Sequence, residues 1–160
     1  MLNEREFVKL KGCVEFDLFD KEGKLLSHQK CDNLIVTVGK SQIAGLINGS
    51  VTTPFKYIAI GGSTTAEAAG QTALVAEFST FGGQRTLGST DRITTVVAND
   101  TMRVVASFTF PSGGVPGAFV NEAGLFDAVS AGNMCSRKVP TPVAIAVSTT
   151  LQVTWTIQVS

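Results

Sequence analysis

The chain has 160 residues, and 13 Lys+Arg balance 13 Asp+Glu to a formal net charge of zero. That length fits one domain with a sizeable core, and the neutral balance argues against a role built on phosphate neutralisation, so no specific nucleic-acid partner is expected. Only 16% of residues are charged and 44% are hydrophobic, a composition suited to self-association within an assembly.

Residues 1–11 mix charges with Leu2, Phe7, Val8 and Leu10 without a clean period. They read as an N-terminal arm, with those four apolar residues as candidate contacts to a neighbouring subunit. The segment is too acidic and polar for a secretory signal, and the longest apolar run, Val143 to Val147, is too short to span a bilayer. Synthesis in a cytoplasm and no membrane partner are expected. Residues 12–160 read as one domain.

Val14 to Leu18 alternates strictly, Asp20-Lys21-Glu22-Gly23 supplies a turn, and Lys24 to Lys30 returns as a hairpin. Leu34 to Val36 is a short strand or connector. The one helix is predicted over Lys40 to Ile47, capped by Thr37, with Ile43, Leu46 and Ile47 on its apolar face and Asn48-Gly49 as its stop. Gly39 and Gly45 weaken it, so it needs a sheet to lie on.

Phe55 to Ile60 reads as a strand, and Thr72 to Phe78 as one or two helical turns capped by Thr72. Arg92 to Ala98 and Thr101 to Phe110 read as strands joined by a two-residue Asn99-Asp100 loop. In the second, Met102, Val104, Ala106, Phe108 and Phe110 share a face. Phe119 to Ala128 is short, apolar and bounded by turn signals, as a buried central strand would be. Met134 to Val139 follows, then a bend at Pro140-Thr141-Pro142. Leu151 to Val159 ends the chain with Leu, Val, Trp, Ile and Val inward and Gln and Thr outward. About eight strands at this spacing indicate a mainly β fold, an antiparallel β-sandwich of jelly-roll-like kind with one short helix.

Few residues suggest chemistry. Cys13, Cys31 and Cys135 match neither a disulfide framework nor zinc spacing, and reduced thiols are expected from the compartment. Cys13 and Cys31 are equidistant from Glu22 at the predicted hairpin tip, so they are placed face to face as a possible disulfide, with Cys135 left for a bond between subunits. His28, the one histidine, reads as an exposed strand residue, because a triad is defined by geometry and not by nearness to Cys31 in sequence. Glu15, Asp17, Asp20 and Glu22 read as the wet face of the hairpin, since their spacing follows strand alternation and not a calcium loop. Glu122 lies in an apolar stretch and needs a cation, for which Arg85, Arg103 and Arg137 are the candidates. The glycine pairs at 61–62, 82–83 and 113–114 read as turns, as they match no phosphate loop. Neither a catalytic set, a cofactor site nor a metal site is predicted.

The run Glu122-Ala123-Gly124-Leu125-Phe126-Asp127-Ala128, followed by Ser130-Ala131-Gly132-Asn133-Met134, resembles a family of small tailed-bacteriophage virion structural proteins. Asn33 to Val36 with Gly39-Lys40, Tyr57 to Gly61 with Thr65-Ala66, Thr72-Ala73-Leu74 with Glu77, and Leu151 to Thr156 extend the likeness from about Asn33 to the C-terminus. The resemblance implies a non-enzymatic component of the virion. A capsid decoration or cement protein, oligomeric and bound to the major capsid protein, is expected. A tail adaptor or fibre-associated domain is the alternative. A carbohydrate-binding module is a third reading, which would need exposed aromatics, and Trp155 is predicted inward.

Overall fold

A computed structural model describes residues 8–111 and 118–160. Arm residues Leu2 and Phe7 and the glycine pair at 113–114 lie outside that range. Among the described residues no helix is long and apolar enough to cross a membrane. The fold is antiparallel and mainly β, with two five-stranded sheets sharing one core and a single helix.

The first sheet is ordered β2 (Leu25–Asp32), β1 (Leu10–Phe19), β12 (Thr150–Val159), β7 (Thr101–Thr109), β6 (Ser89–Ile93). Its centre is β12, which pairs with β1 from Thr150↔Phe19 to Val159↔Leu10 and with β7 from Thr150↔Thr109 to Gln158↔Thr101. The alternation of β12 fixes this placement, because a slip of one residue would turn its whole apolar face to water. Leu151, Val153, Trp155 and Ile157 are buried as expected. Val159 is not; it is the last residue of β12 and is 51% exposed.

The second sheet is ordered β3 (Leu34–Ile35), β10 (Met134–Lys138), β9 (Glu122–Phe126), β4 (Tyr57–Gly61), β5 (Thr86–Leu87). The predicted central strand is resolved into β8 (Phe119–Val120), which pairs with β11 (Val143–Ala144), and β9 in the middle of the second sheet. Both faces of β9 are covered, so it reads as continuously apolar. Ala123 and Leu125 join the core between the sheets, whereas Phe126 packs with Val36, Ala59, Leu74 and Met134 in a second cluster.

Helix α1 (Thr37–Asn48) starts earlier than predicted, with Val36 as its cap residue and no side-chain cap bond, so Thr37 is its first residue and not its cap. Gly49 closes it in the left-handed conformation, φ 77°. Its buried seam is made by Gly39 and Gly45, while Ile47 is 82% exposed. The glycines are the means of contact: a Cβ on Gly39 would stand 2.1 Å from the Cys135 carbonyl oxygen of β10. Ile43 and Leu46 pack against the core.

Four further expectations are corrected. The arm is shorter than eleven residues, because Leu10 and Lys11 are already in β1 and Lys9 pairs with Ser160 through both backbone groups. Thr72 to Phe78 forms no helix; it passes over the second sheet and Gly61 bridges Glu77. The strand predicted over Arg92 to Ala98 is Ser89–Ile93 instead. The expected two-residue Asn99-Asp100 loop is instead residues 94–100, because Asp100 draws the amides of Thr95, Val96 and Val97 onto its carboxylate at 2.8, 2.9 and 3.1 Å.

Trp155 is fully buried at the centre of the central strand. We expect Trp155→Ala to cost about 3–5 kcal/mol through the cavity it leaves. Urea unfolding measures this, and a loss below about 1 kcal/mol would contradict β12 as the centre of the core.

Candidate interaction site at the open end of the sandwich

The sequence-level candidates separate on the fold. A bulge between Leu18 and Phe19 shifts the β1–β2 register, pairing Phe19 with Leu25 but Leu18 with Ser27. Beyond it Cys13 stands opposite Asp32, and Cys31 opposite Val14. Directly paired residues share a face, and neighbours along a strand do not. Cys31 therefore turns toward the core with Val14, and Cys13 to the outer face. Both are free thiols, and the proposed disulfide is ruled out by one residue of register. Burial raises the pKa of all three cysteines and pushes Cys135 up to about 12, which favours inert thiols.

His28 is exposed on β2 with Nδ1 2.6 Å from Asp17 Oδ1, and Lys30 Nζ is 2.6 Å from Glu15 Oε1. Glu15, Asp17 and His28 are close enough together to be considered as metal ligands, but the cross-strand pairs already answer both carboxylates. Asp20 holds the hairpin turn by accepting from the amides of Glu22 and Lys24, both at 2.9 Å. Glu22 pairs with Lys21 on the surface.

Of the three candidate arginines, Arg137 is the partner of Glu122. Both side chains are fully buried, and the guanidinium donates to Glu122 Oε2 from Nε at 3.1 Å and from Nη2 at 2.7 Å. The carboxylate also accepts from the amides of Val75 and Ala76 at 3.0 and 2.6 Å. Arg137 Nη1 donates to the Thr65 carbonyl and to Gln71. Together with the Glu67 contacts to Lys138 and the Val139 amide, this fastens residues 62–78 over the second sheet as a strap. Arg85 instead chelates Glu77 and lies 3.6 Å over the Phe126 ring, and Arg103 pairs with Asp91 across β6 and β7.

A surface that no motif announced lies at one end of the sandwich. There β1 begins, β12 ends and the β6–β7 loop is tied to β12, with Val159 N–H donating to the Asp100 carbonyl and Gln158 Nε2 to its carboxylate. Between these elements and α1 opens a cavity of about 540 Å³. Its wall is apolar, from Leu10, Ile43, Leu46, Phe55, Met102 and Ile157. Val159 is in the lining and 51% exposed, and Val8, two residues before Leu10, and Val96 and Val97, whose amides are held by the lining residue Asp100, are 73%, 78% and 66% exposed. Isolated exposed valines are ordinary, but several on the segments that build an apolar cavity are what an interaction surface needs.

The charges at the mouth are unequal in their engagement. Asp91 is held by Arg103. For Asp100, desolvation raises the pKa, but the three loop amides and the Gln158 amide together outweigh it and hold the carboxyl well below the ordinary value. Lys56 and Arg92 also line the mouth, and among the described residues neither forms an ion pair. With Asp91 answered by Arg103 and the Asp100 carboxylate met by amides alone, the lining carries Lys56 and Arg92 against one carboxylate, an excess of one positive charge beside an apolar hollow. The aromatics that a sugar site would use are placed otherwise: Trp155 is in the core and Tyr57 lies half-buried with Lys56 5.9 Å from its ring centroid.

Two outcomes are expected. Arg137→Met strands the Glu122 carboxylate in the interior and should cost about 3–5 kcal/mol in urea unfolding. Adding Glu122→Gln should recover part of that, because the amide is neutral and its oxygen still accepts from the strap. A double variant no more stable than Arg137→Met alone would contradict the pairing. The Asp100 pKa is lower folded than unfolded, so its contribution is complete above the unfolded value of about 3.9 and fades as pH falls toward the folded one. The Tm gap between the wild type and Asp100→Asn should be constant from neutral pH down to about 4 and narrow below it. A gap that does not change across that range would refute the loop assignment.

Comparison with protein-family models, curated proteins and solved structures finds no match to this chain.

Proposed function

We propose that the chain is a non-enzymatic structural subunit of a tailed-bacteriophage particle, a decoration or cement protein that binds the major capsid protein and stabilises the head shell. The observation that carries this reading is the open end, where an apolar cavity is built from segments that also carry exposed valines, on a sandwich of neutral net charge. Such a surface gains free energy when a partner covers it, and a low charge density does little to keep copies apart. The choice of particle comes from the resemblance of the Glu122–Ala128 and Ser130–Met134 runs to tailed-bacteriophage virion proteins. The rigid scaffold behind that end also suits the role. The strap is locked by a buried ion pair, and the first sheet is centred on the C-terminal strand, so the surface is presented on fixed elements.

The test is copy number, by quantitative mass spectrometry of purified virions against the major capsid protein. Hundreds of copies in a simple ratio to the capsid protein are expected. A handful would move the protein to the tail as an adaptor or fibre-associated domain. Complete absence from the particle would overturn the virion reading.

A further inference from the structure

The chain itself carries a segment whose chemistry fits the cavity at the open end. We propose that this cavity receives residues 1–7 of a second copy of the chain, so that the subunits are joined by exchanged N-terminal arms. This rests on the assembly reading above and names the receiving site.

Two observations point to that occupant. The first is content. Residues 1–7, Met-Leu-Asn-Glu-Arg-Glu-Phe, combine Leu2 and Phe7 with Glu4 and Glu6. The cavity combines a wall of Leu10, Ile43, Leu46, Phe55, Met102 and Ile157 with Lys56 and Arg92 at its mouth. Apolar anchors meet an apolar wall, and carboxylates meet the two cations without ion-pair partners among the described residues, a match that gives both burial and register.

The second is direction. Leu10 lines the cavity and is also the first residue of β1. Lys9 still pairs with Ser160 through both backbone groups, so the chain leaves the sandwich extended, running outward alongside the end of β12. Seven residues span at most about 23 Å when extended, which is ample to bridge to an adjoining copy.

Exchange of an identical segment between like subunits is also a low-cost route to association.

The experiment uses the full chain and charge reversal at polar positions. Light scattering across the soluble concentration range should give a mass above the 16.8 kDa of one chain. Lys56→Glu with Arg92→Glu should weaken self-association by about tenfold or more. Glu4→Lys with Glu6→Lys should do the same, and the four changes together should restore it. Phe7→Asp should weaken association without lowering the Tm, which separates lost docking from lost folding. A wild type that is monomeric throughout would overturn the inference while leaving the virion reading to its own copy-number test. An associated wild type indifferent to both reversals would place the contact elsewhere. Reversals that change the Tm and not the mass would mean that the arm covers its own cavity, and would also overturn the exchange.

Discussion

A full charge pair in an apolar interior constrains this molecule most sharply. Glu122 and Arg137 are both inaccessible to solvent, so each must find its partners inside the protein. Their remaining valences go to the backbone of residues 65, 75 and 76 and to Gln71. The pair therefore does more than join β9 to β10. It makes the strap an obligatory part of the second sheet, because lifting the strap would leave a carboxylate and a guanidinium with unmet hydrogen-bonding capacity. Replacing such pairs by apolar residues is often neutral or stabilising, so the pair contributes specificity of arrangement more than stability. It selects the one path of residues 62–78 on which every donor is met.

The first sheet needs no such device. Its centre, β12, is specified by alternation alone, and the strands beside it follow from the long ladders it offers. Here the sequence was transparent: Val14 to Leu18, Thr101 to Phe110 and Leu151 to Ile157 all place their apolar residues on the core face. Transparency ended where local chemistry competed with period. The Leu18–Phe19 bulge cannot be seen in the alternation before it, yet it moves Cys31 to the face opposite Cys13. Asp100 draws three amides into a loop whose residues, Thr-Thr-Val-Val, have the composition of a strand. Thr72 to Phe78 has helix-like spacing, but its amides serve Glu122, a demand set more than forty positions away.

The helix shows the same competition from another side. By propensity Gly39 and Gly45 weaken it, and the apolar stripe was expected at Ile43, Leu46 and Ile47. In the fold the glycines are the seam, because at Gly39 the backbone approaches the Cys135 carbonyl, and at Gly45 the Val51 side chain, more closely than any side chain permits. Ile47 is left in solvent. A rule that ranks residues by helix propensity cannot see a contact whose requirement is the absence of a side chain.

The open end was the least legible feature, and for a reason that bears on its role. Its wall is drawn from the start of β1, the end of β12, the start of β7, the segment before β4 and one face of α1. No two of these are near in sequence except through the fold, so no motif spacing could reveal them. Each residue taken singly reads as core: Leu10, Met102 and Ile157 continue the inward faces of their strands. They line a hollow because they stand at the ends of their strands, where Val8 and Val159 are exposed as well. A sandwich closed on itself would make such last inward positions polar. Keeping them apolar, with Lys56 and Arg92 in the same lining, leaves a face suited to burial by a partner. The apolar strand ends thus link the local alternation of three strands to the assembly proposed for the protein.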